Sequence, residues 1–218
     1  MSGAPTPLLL GFEPFGGEAV NPSQEIVRAL DGQVVNGHAV IGAILPVTFG
    51  ATLATLENLL DLHRPVLVLA LGQAGGCSEL ALERIAVNLI DARIADNEQN
   101  RPIDEPVVAG APAAYLTSLP VKAMLARLRA LGIPAALSLS AGTFVCNQVF
   151  YALAHLRATR FRDMRGGFLH VPWLPEQAAR HPGQPSMALD TMIAGTRAAL
   201  ECALATTRDL RIAGGATH

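Results

Sequence analysis

The chain has 218 residues, of which half are hydrophobic and only 16% are charged, a composition that excludes a disordered segment. Its net charge of −2, with acidic and basic residues interspersed, provides no basic patch and argues against nucleic acid as a partner. The longest apolar runs fall far short of the roughly 20 residues of a membrane helix, and the N-terminus lacks the features of a signal peptide. We therefore expect a cytoplasmic protein that has no membrane partner.

Short apolar runs alternate with helical patterns, which is typical of an α/β fold with a largely parallel sheet. The first helix should begin at Asn21-Pro22, because asparagine is a good N-cap and proline suits the first helical turn. In chain order, the patterns predict strands over Leu8–Leu10, Val40–Val47, Val66–Leu71, Ile85–Ile90, Ala135–Leu139 and Gly167–Val171. The later helices are predicted over Ala51–Leu62, Val121–Leu131, Val145–Leu156 and Met187–Leu204. No repeat, linker or domain boundary interrupts this alternation, so we predict one domain over residues 1–218.

A polar stretch from Ala95 to Pro120 shows little periodicity. Loops of that length inside a compact domain are usually functional or mobile. We expect this segment either to cover the functional site or to join subunits, and the sequence does not choose between the two.

Cys146 is the best candidate nucleophile among the three cysteines. It follows the predicted strand Ala135–Leu139 at the start of the next helix, and ligands of open α/β sheets bind beyond the carboxyl ends of strands. The positive end of that helix dipole would favour a thiolate. Cys77 follows a glycine-rich turn but no comparable helix opens there, and Cys202 lies within the final helix, where packing is the simpler interpretation.

His170 lies near the end of the last predicted strand, where a core histidine is the simpler interpretation, but Cys146 offers it a partner at another strand end. A Cys–His pair is the minimum for an activated thiol nucleophile. A third group should orient the imidazole. Glu83 is the best-placed acid because it directly precedes an apolar strand, although a surface ion pair is its simpler interpretation, and Asp91 and Asp96 are alternatives. The other histidines lack metal-ligand spacing, so we assign no metal.

Two turn segments follow strands at the same edge of the predicted sheet. The glycine-rich turn Gly72–Gly76 lacks the residues of a phosphate-binding loop, but its backbone N–H groups can serve an oxyanion. The segment Gly11–Gly17 carries Phe12 and Phe15, which suit a flat, neutral ligand. Packing in the core is the simpler alternative for these two rings.

Four sequence blocks together resemble the pyroglutamyl peptidase I (pyrrolidone-carboxylate peptidase) family of cysteine peptidases. The blocks are GFEPFGG with NPSQE, GQAGG followed by ERIAVN and DARI, SAGTFVCN, and FLHVPWLPEQ. They occur in the family's order between Gly11 and Gln177, about three quarters of the chain. Four independent blocks in one register are far more specific than any one of them.

The resemblance implies a catalytic triad of Cys146, His170 and Glu83 that hydrolyses the bond after an N-terminal pyroglutamyl residue of peptides through a thioester. It also implies a single-domain, three-layer α/β/α sandwich with a twisted central sheet, a cytosolic homotetramer, and no metal or organic cofactor. The residues that it implies as substrate contacts are Phe12, Phe15, Asn21, Thr48, Gln73, Arg93, Ile94, Phe144 and Val145.

Departures from the family pattern leave the implied triad intact. Cys77 replaces a frequent arginine, Ala81 a hydroxyl residue, Gln24 a tryptophan and Ala95 a proline.

Three alternatives are weighed against the peptidase: a cysteine amidase for another small cyclic or N-acyl substrate, a non-catalytic small-molecule binder, and a nucleoside-phosphorylase-like enzyme. The last would need convergent basic residues around a phosphate, for which only Arg93 is available.

Overall fold

The computed structural model describes residues 6–215. The strands are β1 (Pro7–Phe12), β2 (Val34–Val35), β3 (His38–Ala39), β4 (Ile41–Leu45), β5 (Leu67–Gln73), β6 (Leu80–Glu83), β7 (Ile85–Val87), β8 (Ala114–Leu116), β9 (Ala135–Ser138) and β10 (Arg165–Val171). The helices are α1 (Pro22–Leu30), α2 (Ala51–His63), α3 (Val121–Ala130), α4 (Val145–Thr159), α5 (Pro175–Ala178) and α6 (Leu189–Ala205).

Six strands form the central sheet, in the order β4-β1-β5-β10-β6-β9. Strand β1 pairs with β4 and β5, and β5 pairs with β10, all in parallel. Strand β6 runs antiparallel to β10 and parallel to β9, so the last two strands point the opposite way. The prediction of a largely parallel sheet is confirmed, with one antiparallel pairing where β10 meets β6.

Helices cover both faces of the sheet, which confirms the three-layer α/β/α sandwich. Alternate residues of a strand point to opposite faces of its sheet. In β1, Leu9 packs in a cluster with residues of α1, α3 and α6, whereas Leu8 and Leu10 pack in a second cluster with residues of α2 and α4. All three leucines are fully buried, as expected for a strand that is covered on both faces.

The predicted helices are present as α1, α2, α3, α4 and α6. The predicted cap of α1 is confirmed, because Asn21 Oδ1 accepts a hydrogen bond from the Ser23 backbone N–H at 3.0 Å. Within residues 6–215, none of these helices combines the length and the apolar content that crossing a bilayer would require.

The predicted strands correspond to β1, β4, β5, β7, β9 and β10, and the sequence pattern does not reveal the others. Strands β2, β3 and β8 have only two or three residues each, too few for an alternation to be visible. Strand β6 is missed because it has only four residues and a single residue, Arg84, separates it from β7. The predicted turn over Gly72–Gly76 begins late, since Gly72 and Gln73 still pair with β10.

The polar stretch Ala95–Pro120 is more ordered than its sequence suggests. Strand β8 lies within it and pairs antiparallel with β7, and Ile90 forms an isolated bridge with Glu105. Asn88 also donates to the carbonyl oxygens of Val108 and Ala111. The segment is therefore fastened at several points to the chain that precedes it.

Candidate active site

Cys146 lies at the start of α4, in surroundings that suit a reactive thiol. Phe144 is the N-cap and no side chain caps this helix, so its first backbone N–H groups have no partner from a capping side chain. A helix N-terminus attracts negative charge, which favours a thiolate or an oxyanion at this point. The sulfur packs against Gly72, where an added Cβ would lie 2.8 Å from Sγ. The missing side chain at Gly72 therefore leaves room for the thiol.

Strands β6 and β10 bring Glu83 and His170 together. Glu83 Oε1 and His170 Nδ1 are 2.7 Å apart, and the two residues are only 1% and 8% exposed. Ala81 pairs directly with His170, so Glu83 reaches the imidazole from the end of the neighbouring strand. As predicted, Glu83 precedes an apolar strand, β7, from which only Arg84 separates it, and it is also the last residue of β6. Of the alternative acids, Asp91 lines the open cleft described below, and Asp96 binds backbone N–H groups.

The rule that sites lie beyond the carboxyl ends of strands holds for His170 but is wrong for Cys146. Strand β9, which precedes Cys146, runs opposite to β10, so its carboxyl end points away from the edge where β10 ends. The connection over residues 139–144 leads the chain back to that edge. There Cys146 meets Gly72 of β5, which pairs with His170.

The pKa of His170 is raised from its ordinary value to about 9. Burial lowers this pKa, but the hydrogen bonds with Cys146 and Glu83 and the charges of these two groups outweigh the burial. Since Glu83 holds Nδ1, the hydrogen bond with Cys146 uses Nε2. The arrangement favours an imidazolium at neutral pH, which is the partner that a thiolate needs.

Cys77 and Cys202 lie in surroundings that disfavour a thiolate. Burial raises the pKa of Cys77, and the charges of Glu83 and Glu79 raise it further. Burial also raises the pKa of Cys202 in α6. All three cysteines carry free thiols, so Cys146 differs from the other two by its imidazole partner and its helix terminus.

A small, narrow and mostly apolar cavity adjoins the thiol. Its walls are Phe12, Phe15, Asn21, Val47, Gln73, Phe144, Val145 and Cys146. The Phe15 and Phe144 rings pack with their centroids 6.0 Å apart, and the Phe12 ring lies 6.3 Å from that of Phe168. Apart from Cys146 and Val47, these wall residues are all implied substrate contacts.

Two amide side chains in the cavity wall are oriented by their other hydrogen bonds. Gln177 Nε2 donates to Gln73 Oε1 at 2.9 Å, which leaves the Gln73 NH2 group as the donor available to a ligand. Asn21 Oδ1 accepts from Ser23, and Asn21 Nδ2 donates to the Glu13 carbonyl oxygen at 3.0 Å with one N–H remaining. The cavity therefore combines aromatic walls with amide donors for a carbonyl oxygen.

A larger cleft, open to solvent and with a volume of about 850 Å³, leads to Cys146 and His170. Arg93 and Ile94 line this cleft, and Ile94 is 42% exposed. Thr48 lines neither the cleft nor the small cavity. It is buried, and its Oγ1 accepts from the Ala51 backbone N–H at the start of α2. The fold thus brings the implied contact residues together with the exception of Thr48.

Comparison with known proteins decides the family. The family model described as "Pyroglutamyl peptidase" matches residues 7–206. The chain belongs to the pyroglutamyl peptidase family. Two of its relatives are pyrrolidone-carboxylate peptidase of Cupriavidus necator, 55% identical over 98% of this chain and 99% of the relative, and pyrrolidone-carboxylate peptidase 1 of Ralstonia nicotianae, 54% identical over 98% and 100%.

Solved structures of the pyroglutamyl peptidase family superpose closely on the chain. Pyroglutamyl peptidase I of Bacillus amyloliquefaciens has a TM-score of 0.92 at 41% identity, covering 95% of this chain and 100% of that one. A mutant pyrrolidone carboxyl peptidase of Pyrococcus furiosus has a TM-score of 0.90 at 43% identity, covering 92% and 98%. The similarity extends over nearly the whole chain.

This member of the pyroglutamyl peptidase family has a polar cleft wall that the sequence patterns do not select. The Glu18 carboxylate accepts hydrogen bonds from His181 at 2.9 Å, from Gln177 at 3.1 Å and from Arg180. The bond from His181 is the main reason that the pKa of Glu18 is lowered, and burial opposes it. Despite these groups, no set of His, Cys, Asp and Glu side chains within residues 6–215 could hold a metal ion.

The same wall contains an aromatic pair. The Trp173 and His181 rings stack with their centroids 4.2 Å apart, and Trp173 packs against Gly75, where an added Cβ would lie 2.6 Å from the indole. Trp173 and Gln177 belong to the block FLHVPWLPEQ, so that block is the signal that could have identified them. Glu18 and His181 belong to no such pattern.

Proposed function

We propose that the protein is a cysteine exopeptidase that removes an N-terminal pyroglutamyl residue from peptides. The observation that carries the proposal is a hydrogen-bonded set of three side chains, in which the buried Glu83 holds His170 and His170 contacts Cys146. Cys146 lies beside a small apolar cavity with amide donors. Membership of the pyroglutamyl peptidase family and the similarity to named pyrrolidone-carboxylate peptidases support the same substrate.

Acylation begins when the Cys146 thiolate attacks the carbonyl carbon that joins pyroglutamate to the next residue. A carbon–sulfur bond forms, the carbon–nitrogen bond breaks, and His170 gives its Nε2 proton to the leaving amine. Glu83 holds the imidazole by Nδ1 and stabilises its charged form. The uncapped N–H groups at the start of α4 are suitably placed donors for the oxyanion.

Deacylation returns the enzyme to its starting state. The now neutral His170 accepts a proton from water, and the hydroxide attacks the carbonyl carbon of the thioester. The carbon–sulfur bond breaks, pyroglutamate leaves, and the proton on His170 again faces the Cys146 thiolate. The open cleft gives water access to this point.

The small cavity accounts for selection of the pyroglutamyl ring. The lactam ring is flat and neutral, so it suits the walls of Phe15 and Phe144, and its carbonyl oxygen can accept from the Gln73 amide. A prolyl ring lacks that carbonyl and would leave the buried donor unpaired, a defect that can cost a factor of about 10⁴ or more. A charged amino terminus would also lose its solvation in this cavity.

Hydrolysis of a chromogenic pyroglutamyl amide, compared with the matching prolyl amide, tests the proposal. We expect release from the pyroglutamyl amide only, complete loss in Cys146→Ala, and unchanged release in the matched control Cys77→Ala. A wild-type protein that does not release the chromophore would contradict the substrate. Release that persists in Cys146→Ala would contradict the mechanism.

We further propose, from the family resemblance, that residues 1–218 act as one catalytic domain in a cytosolic homotetramer that needs no cofactor. Large hydrophobic side chains that are exposed on the single chain provide surface for subunit contacts, among them Val34, Leu62, Ile103 and Leu116. Light scattering coupled to gel filtration should give the mass of four chains, and a monomer mass would contradict the tetramer.

A further inference from the structure

The chain segment Asp91–Asn97 connects the open cleft to the small cavity. Arg93 and Ile94 line the cleft, and the chain then turns onto the outer side of the cavity walls. These contacts occur at the beginning of the polar stretch Ala95–Pro120, for which the sequence left two roles open.

Asn97 forms hydrogen bonds with two chain segments that supply walls of the cavity. Its Nδ2 donates to Glu13 Oε1 at 2.8 Å and to the Pro14 carbonyl oxygen at 3.0 Å. Glu13 and Pro14 lie between the two cavity phenylalanines, Phe12 at the end of β1 and Phe15. The Asn97 backbone N–H also donates to the carbonyl oxygen of Val47, which lines the cavity, at 2.9 Å.

Glu13 also forms hydrogen bonds with the polar loop and with the segment that contains Val47. Its Oε1, which accepts from Asn97, also accepts from the Val47 backbone N–H at 3.0 Å. The Glu13 backbone N–H donates to the Leu45 carbonyl oxygen at 3.1 Å, and the Glu13 carbonyl oxygen accepts from Asn21. One carboxylate oxygen thus links the turn after β1, the segment after β4 and the polar loop.

Asp96 supports a further wall through Phe49. Its buried carboxylate accepts from the Phe49 backbone N–H at 2.8 Å and from Asn100 at 2.8 Å. The Phe49 ring packs edge-on against Phe144, with centroids 5.2 Å apart, and the Phe49 carbonyl oxygen accepts from Gln148 of α4. These hydrogen bonds fix the position of the loop relative to the cavity.

We propose that Glu13 and Asn97 form a clasp that sets the width of the small cavity and so the affinity for the pyroglutamyl ring. The Glu13–Asn97 clasp does not line the cavity itself, so both are positioning residues. The inference rests on the proposed function. Because the clasp supports the ring cavity and has no contact with Cys146 or His170, its loss should weaken substrate binding and leave the thiol chemistry intact.

Two variants of Asn97 test the clasp. Asn97→Ala removes the bonds to Glu13 and Pro14, and Asn97→Asp keeps the shape but places a second carboxylate beside Glu13. We expect KM for the chromogenic pyroglutamyl amide to rise about fivefold in Asn97→Ala, as for the loss of a net hydrogen bond, and further in Asn97→Asp. The kcat should stay within about twofold of wild type. Alkylation of Cys146 by iodoacetamide should proceed at the wild-type rate.

Asn88→Ala is the matched control. It removes the hydrogen bonds that join Asn88 to Val108 and Ala111 of the same long loop. None of these three residues lines the cavity. Its KM should equal that of the wild type.

Three results would overturn the clasp: an unchanged KM in both Asn97 variants, slower alkylation of Cys146, or an equal rise of KM in Asn88→Ala. The last would mean general loosening of the loop. A wild-type protein that does not hydrolyse the pyroglutamyl amide would instead overturn the proposed function.

Discussion

The proposed reacting groups and the proposed ring cavity beside them are built in different ways. Glu83 ends β6, His170 lies in β10 and Cys146 lies in the first turn of α4, so regular backbone hydrogen bonding fixes their spacing. Much of the cavity wall, including Phe15 and Val47, comes from connecting segments that are held by side-chain hydrogen bonds to the backbone.

This difference follows from what each part must do. Proton transfer and nucleophilic attack tolerate little misplacement, and regular elements hold side chains more accurately than loops do. A binding cavity can tolerate small shifts at a cost in affinity. Changes to the regular part should therefore act on kcat and thiol reactivity, whereas changes to the connecting segments should act on KM and stability.

The largest effect among the remaining tests is expected for Glu83→Gln. The amide keeps the volume of the buried side chain but removes the charge that stabilises the imidazolium and its tautomer, so kcat/KM should fall by about 10²- to 10⁴-fold. Steady-state kinetics on the pyroglutamyl amide measures this, with Glu79→Gln as a control that loses an acid of the same segment. Equal activity in Glu83→Gln and wild type would contradict the role of Glu83.

The pH dependence of kcat/KM tests the contact between Glu83 and His170 in a second way. In the proposed mechanism the leaving amine needs a protonated His170, whose pKa is raised to about 9, so kcat/KM should decline as the pH rises through about 9. Glu83 contributes to that raised pKa, so the alkaline limb should move to lower pH in Glu83→Gln. An alkaline limb at the same pH in both proteins would contradict the coupling.

Gly72→Ala tests how little space the sulfur has. An added Cβ would lie 2.8 Å from both Cys146 Sγ and the Phe168 ring, so the thiol should be displaced and kcat/KM should fall by about 10²-fold. Gly50→Ala is the control, because an added Cβ there meets no atom within 4 Å and its φ is −78°. Wild-type rates of turnover and alkylation in Gly72→Ala would contradict the packing argument.

The smallest effect concerns stability in the cavity wall. Asn21→Ala removes the cap of α1 and should lower the free energy of unfolding by about 1 kcal/mol, as measured by urea titration. Asn21→Ser keeps a capping oxygen and should recover most of that stability, yet KM should stay raised because the amide donor is lost. Equal stability of the two variants would argue against the cap.

Much of the fold could be predicted from the sequence, because strand burial and helix capping depend on residues that are close together in the chain. The leucines of β1 and the Asn21 cap express burial and capping within a few residues. The direction of β9 could not be predicted in this way, since it depends on pairing with β6, a short strand that the sequence pattern does not separate from β7. The predicted position of Cys146 at a helix terminus is present, although the strand that precedes it runs the other way.

The site shows the same limit. The Cys146–His170 pair follows from residue chemistry, but the choice of Glu83 over Asp91 or Asp96 depends on the β6–β10 register, which no local pattern contains. Glu18 and His181 line the cleft wall through hydrogen bonds between distant segments. Contacts of this kind become visible only when the chain has folded.

Labelling with a pyroglutamyl chloromethyl ketone tests the central claim most directly, because the reagent combines the proposed ring with an electrophile for the thiol. Peptide mapping by mass spectrometry should find one label, on Cys146, with activity lost in proportion to labelling. Free pyroglutamate should slow the reaction, and the matching prolyl reagent should react far more slowly. A label on Cys77 or Cys202, or equal labelling by the prolyl reagent, would contradict the account.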